Sequence, residues 1–251
     1  MPQHPDQVPP IDDWNRLLDG RVAVVTGGGA GIGAAIATLF AQHGALVEVA
    51  EIDPARAGSV VEAVRAAGGT AHPHVVDVTT EVGVDQLAAD VLARHGRIDV
   101  LVNNVGDHRP LVRFDRSGPE SWQAMYELNL WHVFAVTRAF LPTMIESGGG
   151  TIVNVHSVEG LRGYPGDPVY GAMKAAVAAF TTDLAVNVGR HGIRVNGIGP
   201  DLTQTPQVDY LGGGDGDDDT SWTAWAPVGR VGWPEDQARV ALMLASDATA
   251  F

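Results

Sequence analysis

The sequence has no cysteine. Disulfides and thiolate metal sites are thereby excluded, and the absence fits a reducing compartment. Positive charge is also scarce: 16 Lys and Arg stand against 30 Asp and Glu, a net charge of −14. Holding nucleic acid requires a basic surface that neutralises phosphates, so this balance argues against such a partner. No apolar run approaches the ~20 residues that span a bilayer. The start, MPQHPDQVPPIDDW, is Pro-rich and acidic, without the basic flank and apolar run of a secretory signal. A soluble, cytoplasmic protein with no membrane partner is expected, with residues 1–17 as a flexible arm. Aromatics make up only 6%, while Gly numbers 31, a mixture suited to tight turns and close helix–strand contacts.

What the chain does contain is a steady alternation of short β-branched runs and longer amphipathic segments, with enough hydrophobic residues (45%) for a sizeable core. Strands are predicted at 21–26, 46–50, 74–77, 100–103, 151–156 and 193–198. Helices are predicted at 33–43, 54–67, 84–95, 118–147, 168–190 and 234–245. Strands separated by helices of this length imply βαβ units and a parallel sheet. Right-handed crossovers then place helices on both faces. The expected fold is α/β, a single Rossmann-like doubly wound domain over residues 18–251, without linker or repeat. Residues 201–234 are irregular and read as a substrate lid. One further strand would be expected after the last helix, and the sequence reaches Phe251 without it.

Thr26-Gly27-Gly28-Gly29-Ala30-Gly31-Ile32-Gly33 joins the first strand to the first helix. Glycines there permit positive φ and close approach of backbone to ligand. The free N–H groups and partial positive charge of the helix start suit a pyrophosphate. In a doubly wound sheet this first strand-to-helix turn is where dinucleotides bind. Glu51 follows the second strand, about 20 residues on, where a carboxylate accepts the ribose hydroxyls of NAD. It would repel the 2′-phosphate of NADP. No Arg or Lys lies in the turn or directly after Glu51, so NAD is expected in preference to NADP. Asp53 is a rival for the role of Glu51.

At this point the chain resembles the short-chain dehydrogenase/reductase family, from about Leu18 to Phe251. Thr26-Gly27-x-x-x-Gly31-x-Gly33 matches its glycine motif, and Asn103-Asn104-Val105-Gly106 resembles its N-N-A-G. Asn129, Ser157 and Tyr170-x-x-x-Lys174 stand where the family has its catalytic Asn, Ser, Tyr and Lys. The resemblance implies a dinucleotide held by Gly27, Gly29, Gly31, Ile32 and Gly33, then by Glu51 and Ile52. It also implies contacts from Asp77 and Val78 to the adenine, with Asn103, Val105 and Gly106 shaping the groove. Tyr170, Lys174, Pro200, Leu202 and Thr205 would complete the site. Asp201 replaces a family Gly. A positive φ there would be strained, and its charge would lie near the pyrophosphate or nicotinamide.

Asp167-Pro168 reads as a helix start, with Asp as cap and Pro in the first turn. Tyr170 then lies in that turn, and Lys174 on the same face. A free phenol has a pKa near ~10. A neighbouring ammonium, a helix N-terminus and an oxidised nicotinamide would each favour the phenolate. The expected chemistry is proton transfer between Tyr170 and a substrate oxygen, coupled to hydride transfer with the cofactor. Ser157 would hold that oxygen, and by family analogy Lys174 would grip the nicotinamide ribose and Asn129 a water. His156 reads as a packed strand-end residue.

No metal site is expected. The acidic tip Gly212–Asp219 lacks EF-hand spacing. Tyr210, Trp222 and Trp225 around it suggest an apolar substrate wall, with Asp107, His108 and Arg109 on the opposite rim. The favoured substrate is a secondary alcohol or ketone with an apolar body, such as a steroid or other cyclic alcohol. A 3-oxoacyl thioester reductase is the near alternative, and a non-catalytic NAD-binding sensor or scaffold the one from another class. Family members pair through their two long helices, here about 119–147 and 168–190, so a homodimer or tetramer is expected, with Trp122, Met125, Trp131 and Phe134 available.

Overall fold

The β-branched runs form six strands: β1 (Val22–Thr26), β2 (Leu46–Glu51), β3 (Thr70–Val75), β4 (Val100–Asn103), β5 (Gly150–Val155) and β6 (Ile193–Ile198). The structure is a computed structural model and describes residues 11–163, 166–208, 226 and 228–250. All five strand pairings are parallel, in the order β3-β2-β1-β4-β5-β6. The order reverses direction at β1 and β4, the switch point at which doubly wound sheets bind ligands.

Among the described residues, seven helices cover the two faces: α1 (Gly31–Gln42), α2 (Pro54–Ala66), α3 (Glu81–His95), α4 (Pro119–Tyr126), α5 (His132–Glu146), α6 (Pro168–Val188) and α7 (Pro234–Ala245). Alternation along the strands divides the core. Ala23 and Val25 of β1 pack with Ile36 and Phe40 of α1, Val61 of α2 and Leu242 of α7. Val22 and Val24 pack on the other face, with Leu87 of α3, Phe140 of α5 and Leu184 of α6.

The structure differs from the sequence reading in three places. β3 begins at Thr70 rather than His74 and contains Pro73. That is tolerated because β3 is an edge strand, where the missing N–H breaks no second ladder. The helical stretch 118–147 is interrupted by a π-helical turn, Glu127–Trp131, between α4 and α5. The expected arm is anchored before it ends, since Leu17 packs on the core and Leu18 is fully buried. The lid's Tyr210, Trp222, Trp225 and acidic tip lie outside the described residues. At the lid's base, Thr203 bridges Gly232.

Candidate active site

The glycine turn is held from below. Asn104 donates from Nδ2 to the carbonyls of Thr26 (3.0 Å) and Gly27 (3.2 Å), and its N–H reaches Thr26 Oγ1 at 3.0 Å. Gly27 (φ 62°) and Gly31 (φ 51°) occupy the left-handed region, which explains two of the five glycines by conformation. Gly33 is explained by space, since a Cβ there would lie 2.1 Å from the Gly27 carbonyl. Ala30, at the N-cap of α1, makes no side-chain cap bond. The first N–H groups of α1 therefore remain available for an anion.

Glu51 stands at the C-terminal end of β2 beside this turn. Its Oε2 accepts the Gly29 N–H at 3.2 Å, and its Oε1 those of Ile52 and Asp53. Asp53 instead caps α2, accepting from the N–H groups of Ala55 and Arg56, which removes it as the rival carboxylate. A side chain at Gly29 would strike Glu51 at 2.6 Å and Arg56 Cβ at 2.9 Å. Arg56, on the first turn of α2, thus stands against the glycine turn. It is a neighbouring cation that the search directly after Glu51 passes over. Thr205 closes the other side, its methyl 3.2 Å from a Cβ built on Gly31. Uncapped N–H groups, a fixed carboxylate and a backbone stripped of side chains fit a dinucleotide.

Several predicted residues are placed differently from expectation. The Asn103 side chain turns away from the groove, donating to Thr137 (3.0 Å) and Asn154 (2.9 Å) within the α5–α6 layer. Asn104 does the local work instead. Asp77 uses Oδ1 on Thr79, accepting from both its N–H and its hydroxyl, while Val78 is buried. Asp201 is unstrained, because no described non-glycine residue has positive φ. Its carboxylate accepts both contacts from Arg162 at 2.9 Å. The expected charge near the pyrophosphate is thus engaged elsewhere.

The catalytic candidates converge where β4, β5 and α6 meet. Asp167 accepts the Tyr170 N–H at 3.1 Å and caps α6, so Tyr170 and Lys174 lie one above the other on the buried face. Lys174 Nζ donates to the Val155 carbonyl at 3.2 Å and lies 5.7 Å from the Tyr170 ring centre. Ser157 Oγ accepts the Glu159 N–H at 3.2 Å and donates to the Pro200 carbonyl at 3.5 Å, and it stands near enough to the Tyr170 phenol to lower its pKa. The π turn presents Asn129, whose Oδ1 accepts the Asp107 N–H while Nδ2 donates to the carbonyls of Asp107 and Met125. Gly106 lies between these groups. A Cβ there would sit 2.5 Å from Lys174 Nζ and 2.9 Å from Asn129 Oδ1. His156 is wedged against Gly197 and Gly199, packed as expected.

The electrostatics reverse one expectation. Burial pushes the Tyr170 phenol well above its ordinary range, and the carboxylates of Glu159, Asp107 and Asp167 push it further. The Ser157 hydrogen bond is the one opposing influence, and it does not prevail. The charge of Lys174 is not among the leading influences on the phenol, and burial lowers the lysine's own pKa to about 8. The chain's own groups therefore hold the phenol protonated. Sequence reasoning also missed His132, fully buried at the start of α5. Burial, then the charge of Lys174, lowers its pKa to about 3, so the ring is neutral. Neither ring nitrogen makes a hydrogen bond of good geometry, although the Val105 and Leu128 backbone lies close enough to favour its protonated form. A His inside an apolar helical face was the available signal.

Beyond Tyr170 a pocket of about 530 Å³, counting its open mouth, is lined mainly by Pro110, Val112, Trp122, Met125, Leu128 and Val169. His108 meets the Tyr170 ring edge-on at 5.9 Å. An apolar wall that includes Val169, the neighbour of Tyr170 in the chain, is thus built in large part by α4.

Residues 21–213 match the short chain dehydrogenase family. The chain is 38% identical over 236 residues to a 3-oxoacyl-(acyl-carrier-protein) reductase of Thermotoga maritima, with 93% of this chain and 94% of the relative covered. It is 38% identical over 231 residues to the cis-4-hydroxycyclohexanecarboxylate dehydrogenase of Sinomonas cyclohexanicum, covering 92% and 91%. Among solved structures, a 7α-hydroxysteroid dehydrogenase complexed with NADH and 7-oxo glycochenodeoxycholic acid matches with a TM-score of 0.86. It is 33% identical, and 94% of this chain and 91% of that one are covered.

Proposed function

The chain belongs to the short-chain dehydrogenase family and is an oxidoreductase acting on CH–OH groups, and from that premise we propose that it uses NAD(H) to interconvert a secondary alcohol and a ketone on a largely apolar, cyclic substrate. The observation that carries this reading is the apolar pocket lined by Trp122, Met125, Leu128 and Val169, the last of them next to Tyr170 in the chain. Glu51, fixed on Gly29, supports NAD over NADP. The named substrates of the Sinomonas enzyme and of the hydroxysteroid dehydrogenase, both cyclic, agree with it.

A bound nicotinamide dinucleotide would supply or accept the hydride. The chain's residues bind, orient and move the proton. The turn Gly27–Gly33 and the start of α1 hold the pyrophosphate, and Glu51 the ribose hydroxyls. Ser157, with its oxygen engaged by the Glu159 N–H, directs its own proton to the substrate oxygen. Tyr170, kept protonated by its surroundings, gives its proton to a ketone oxygen, and the reverse transfer accompanies alcohol oxidation. Asn129 clamps the Asp107 backbone and so fixes Gly106 against Lys174. No described helix is long and apolar enough to cross a membrane. A homo-oligomer paired through α5 and α6 is supported by the partly exposed Phe134, edge-on to Phe180 at 4.7 Å.

A second reading, reduction of a 3-oxoacyl thioester, is favoured by the Thermotoga relative. A turnover screen with NAD(H) and NADP(H) over cyclic alcohols, their ketones and a 3-oxoacyl thioester separates the two. The first reading expects NAD(H) to be preferred at least about tenfold in kcat/KM, near 1.4 kcal/mol, with cyclic substrates turned over fastest. A preference for NADPH with the thioester would replace it with the second.

A further inference from the structure

Glu48 is a fully buried acid in the middle of β2, at a position where a strand facing α3 would ordinarily carry an apolar residue. An isolated carboxylate there would be severely destabilising. The sheet register sets His72 of β3 directly beside it, and α3 ends by bringing His95 over the same face. Glu48 Oε1 is 2.9 Å from His72 Nδ1 and 2.6 Å from His95 Nε2. The three ligand atoms all lie within 4.8 Å of one another. Glu48 Oε2 is engaged separately, by His74 Nε2. Nothing in the oxidoreductase chemistry uses these residues. Glu51, which faces the glycine turn, is three residues further along β2, or about 10 Å at the usual strand rise.

We propose that Glu48, His72 and His95 form a binding site for a divalent transition-metal ion of the zinc class. Two imidazoles and one carboxylate are a donor set that zinc takes, with solvent free to fill a fourth position. Mg²⁺ and Ca²⁺ prefer all-oxygen sites. In a tetrahedral site with bonds near 2.0–2.1 Å, ligand atoms stand about 3.3 Å apart. Each imidazole therefore needs to withdraw from Oε1 by less than about 1 Å. Both are placed to do so, His72 on the edge strand with a quarter of its side chain exposed and His95 on the last turn of α3. His74, on the second oxygen, orients the carboxylate as outer-sphere partners of metal ligands do. Two further charges face the cluster from α3. Arg94 Nε lies 3.6 Å from Oε1 and is 42% exposed, so it can move aside into solvent, and Asp90 lies 3.8 Å from His74 Nδ1. The bound ion would tie β3 and α3 to β2, a structural clamp on the sheet's edge.

The test is calorimetric titration of the full chain with Zn²⁺ after treatment with a chelator, beside His72→Ala, His95→Ala and the double variant. One equivalent is expected to bind at micromolar Kd or tighter. Removing His74 should weaken this by about tenfold or more, and removing His72 or His95 by more than that. His43→Ala and His191→Ala should leave it unchanged. Co²⁺ in place of Zn²⁺ should give the visible absorption of a tetrahedral site. At about a hundredfold excess over Kd, Zn²⁺ should raise Tm by roughly 5–10 °C in the unaltered chain, and not in the double variant. If the unaltered chain binds Zn²⁺ no more tightly than the double variant, the proposal is wrong and the imidazoles merely compensate a buried acid.

Discussion

Glu48 and Lys174 are both charged and both buried, one between β2 and α3 towards the sheet's edge and one in the proposed catalytic centre. Three imidazoles stand within hydrogen-bond reach of Glu48. Lys174 has a single partner among the described residues, the Val155 carbonyl. Burial pushes the Glu48 carboxyl up, but the hydrogen bonds from His74 and His95 outweigh it and hold the group below its ordinary value. Burial acts on Lys174 in the opposite sense to its charge, and only the more distant Asp107 opposes that effect. Charge is well compensated where no hydride chemistry occurs and poorly compensated where the reaction takes place. A group whose two protonation states are close in energy can change state during a reaction, and a fully compensated one cannot do so cheaply.

The largest effect should come from the group that moves the proton. Tyr170→Phe is expected to lower kcat by about 10²–10⁴-fold, while dinucleotide binding followed by fluorescence stays within about threefold of the unaltered chain, a difference under 1 kcal/mol. Undiminished turnover would remove the catalytic centre from the comparison altogether. Next in size is Glu48→Ala. It leaves the imidazole cluster without its acid and opens a cavity, so urea denaturation should show a loss of about 3 kcal/mol. Stability within about 0.5 kcal/mol of the unaltered chain, the range of ordinary surface changes, would mean that the cluster is not compensated in the way its distances imply.

The two regions were not equally legible. The catalytic centre is visible in the sequence because its residues recur at fixed intervals. The glycine turn, Asn129, Ser157 and the Tyr170–Lys174 pair can be read before any coordinates are known. The parallel pairing of the sheet follows from the βαβ alternation, although its strand order does not. The Glu48 cluster has no such interval. Glu48, His72 and His95 meet only because β2 and β3 pair in one register and α3 returns antiparallel across them. Pro73 hides the start of β3, and with it the strand that carries His72 and His74. The interruption of the long helix at Asn129 leaves no periodic trace, and the buried His132 shows only as a His inside an apolar helical face. The direction of the Tyr170 shift was also illegible, since it depends first on burial and then on Glu159, Asp107 and Asp167 arriving from three different segments. The Tyr–Lys spacing suggested the opposite sign.

The smallest expected effect is also the one that distinguishes the two regions by sign. Lys174→Met should abolish most turnover and yet make the chain more stable, by roughly 1–2 kcal/mol at pH 7. The folded chain holds the ammonium at a pKa of about 8, against ~10.4 for a free lysine. Below pH 8 both folded and unfolded chains carry the proton, and the folded state bears the whole desolvation penalty. Between about pH 8 and 10 the unfolded chain binds more protons than the folded one, so the unaltered protein gains stability as pH rises. The methionine variant has no such gain. Its advantage should therefore be full at pH 7 and shrink as denaturation is repeated towards pH 10. The lost hydrogen bond to Val155 sets the lower end of the range, about 1 kcal/mol of the penalty being recovered by that bond. A variant less stable at pH 7, or an advantage that does not vary with pH, would mean that Lys174 is as well compensated as Glu48. The two ends of the sheet would then no longer differ in the way their contacts indicate.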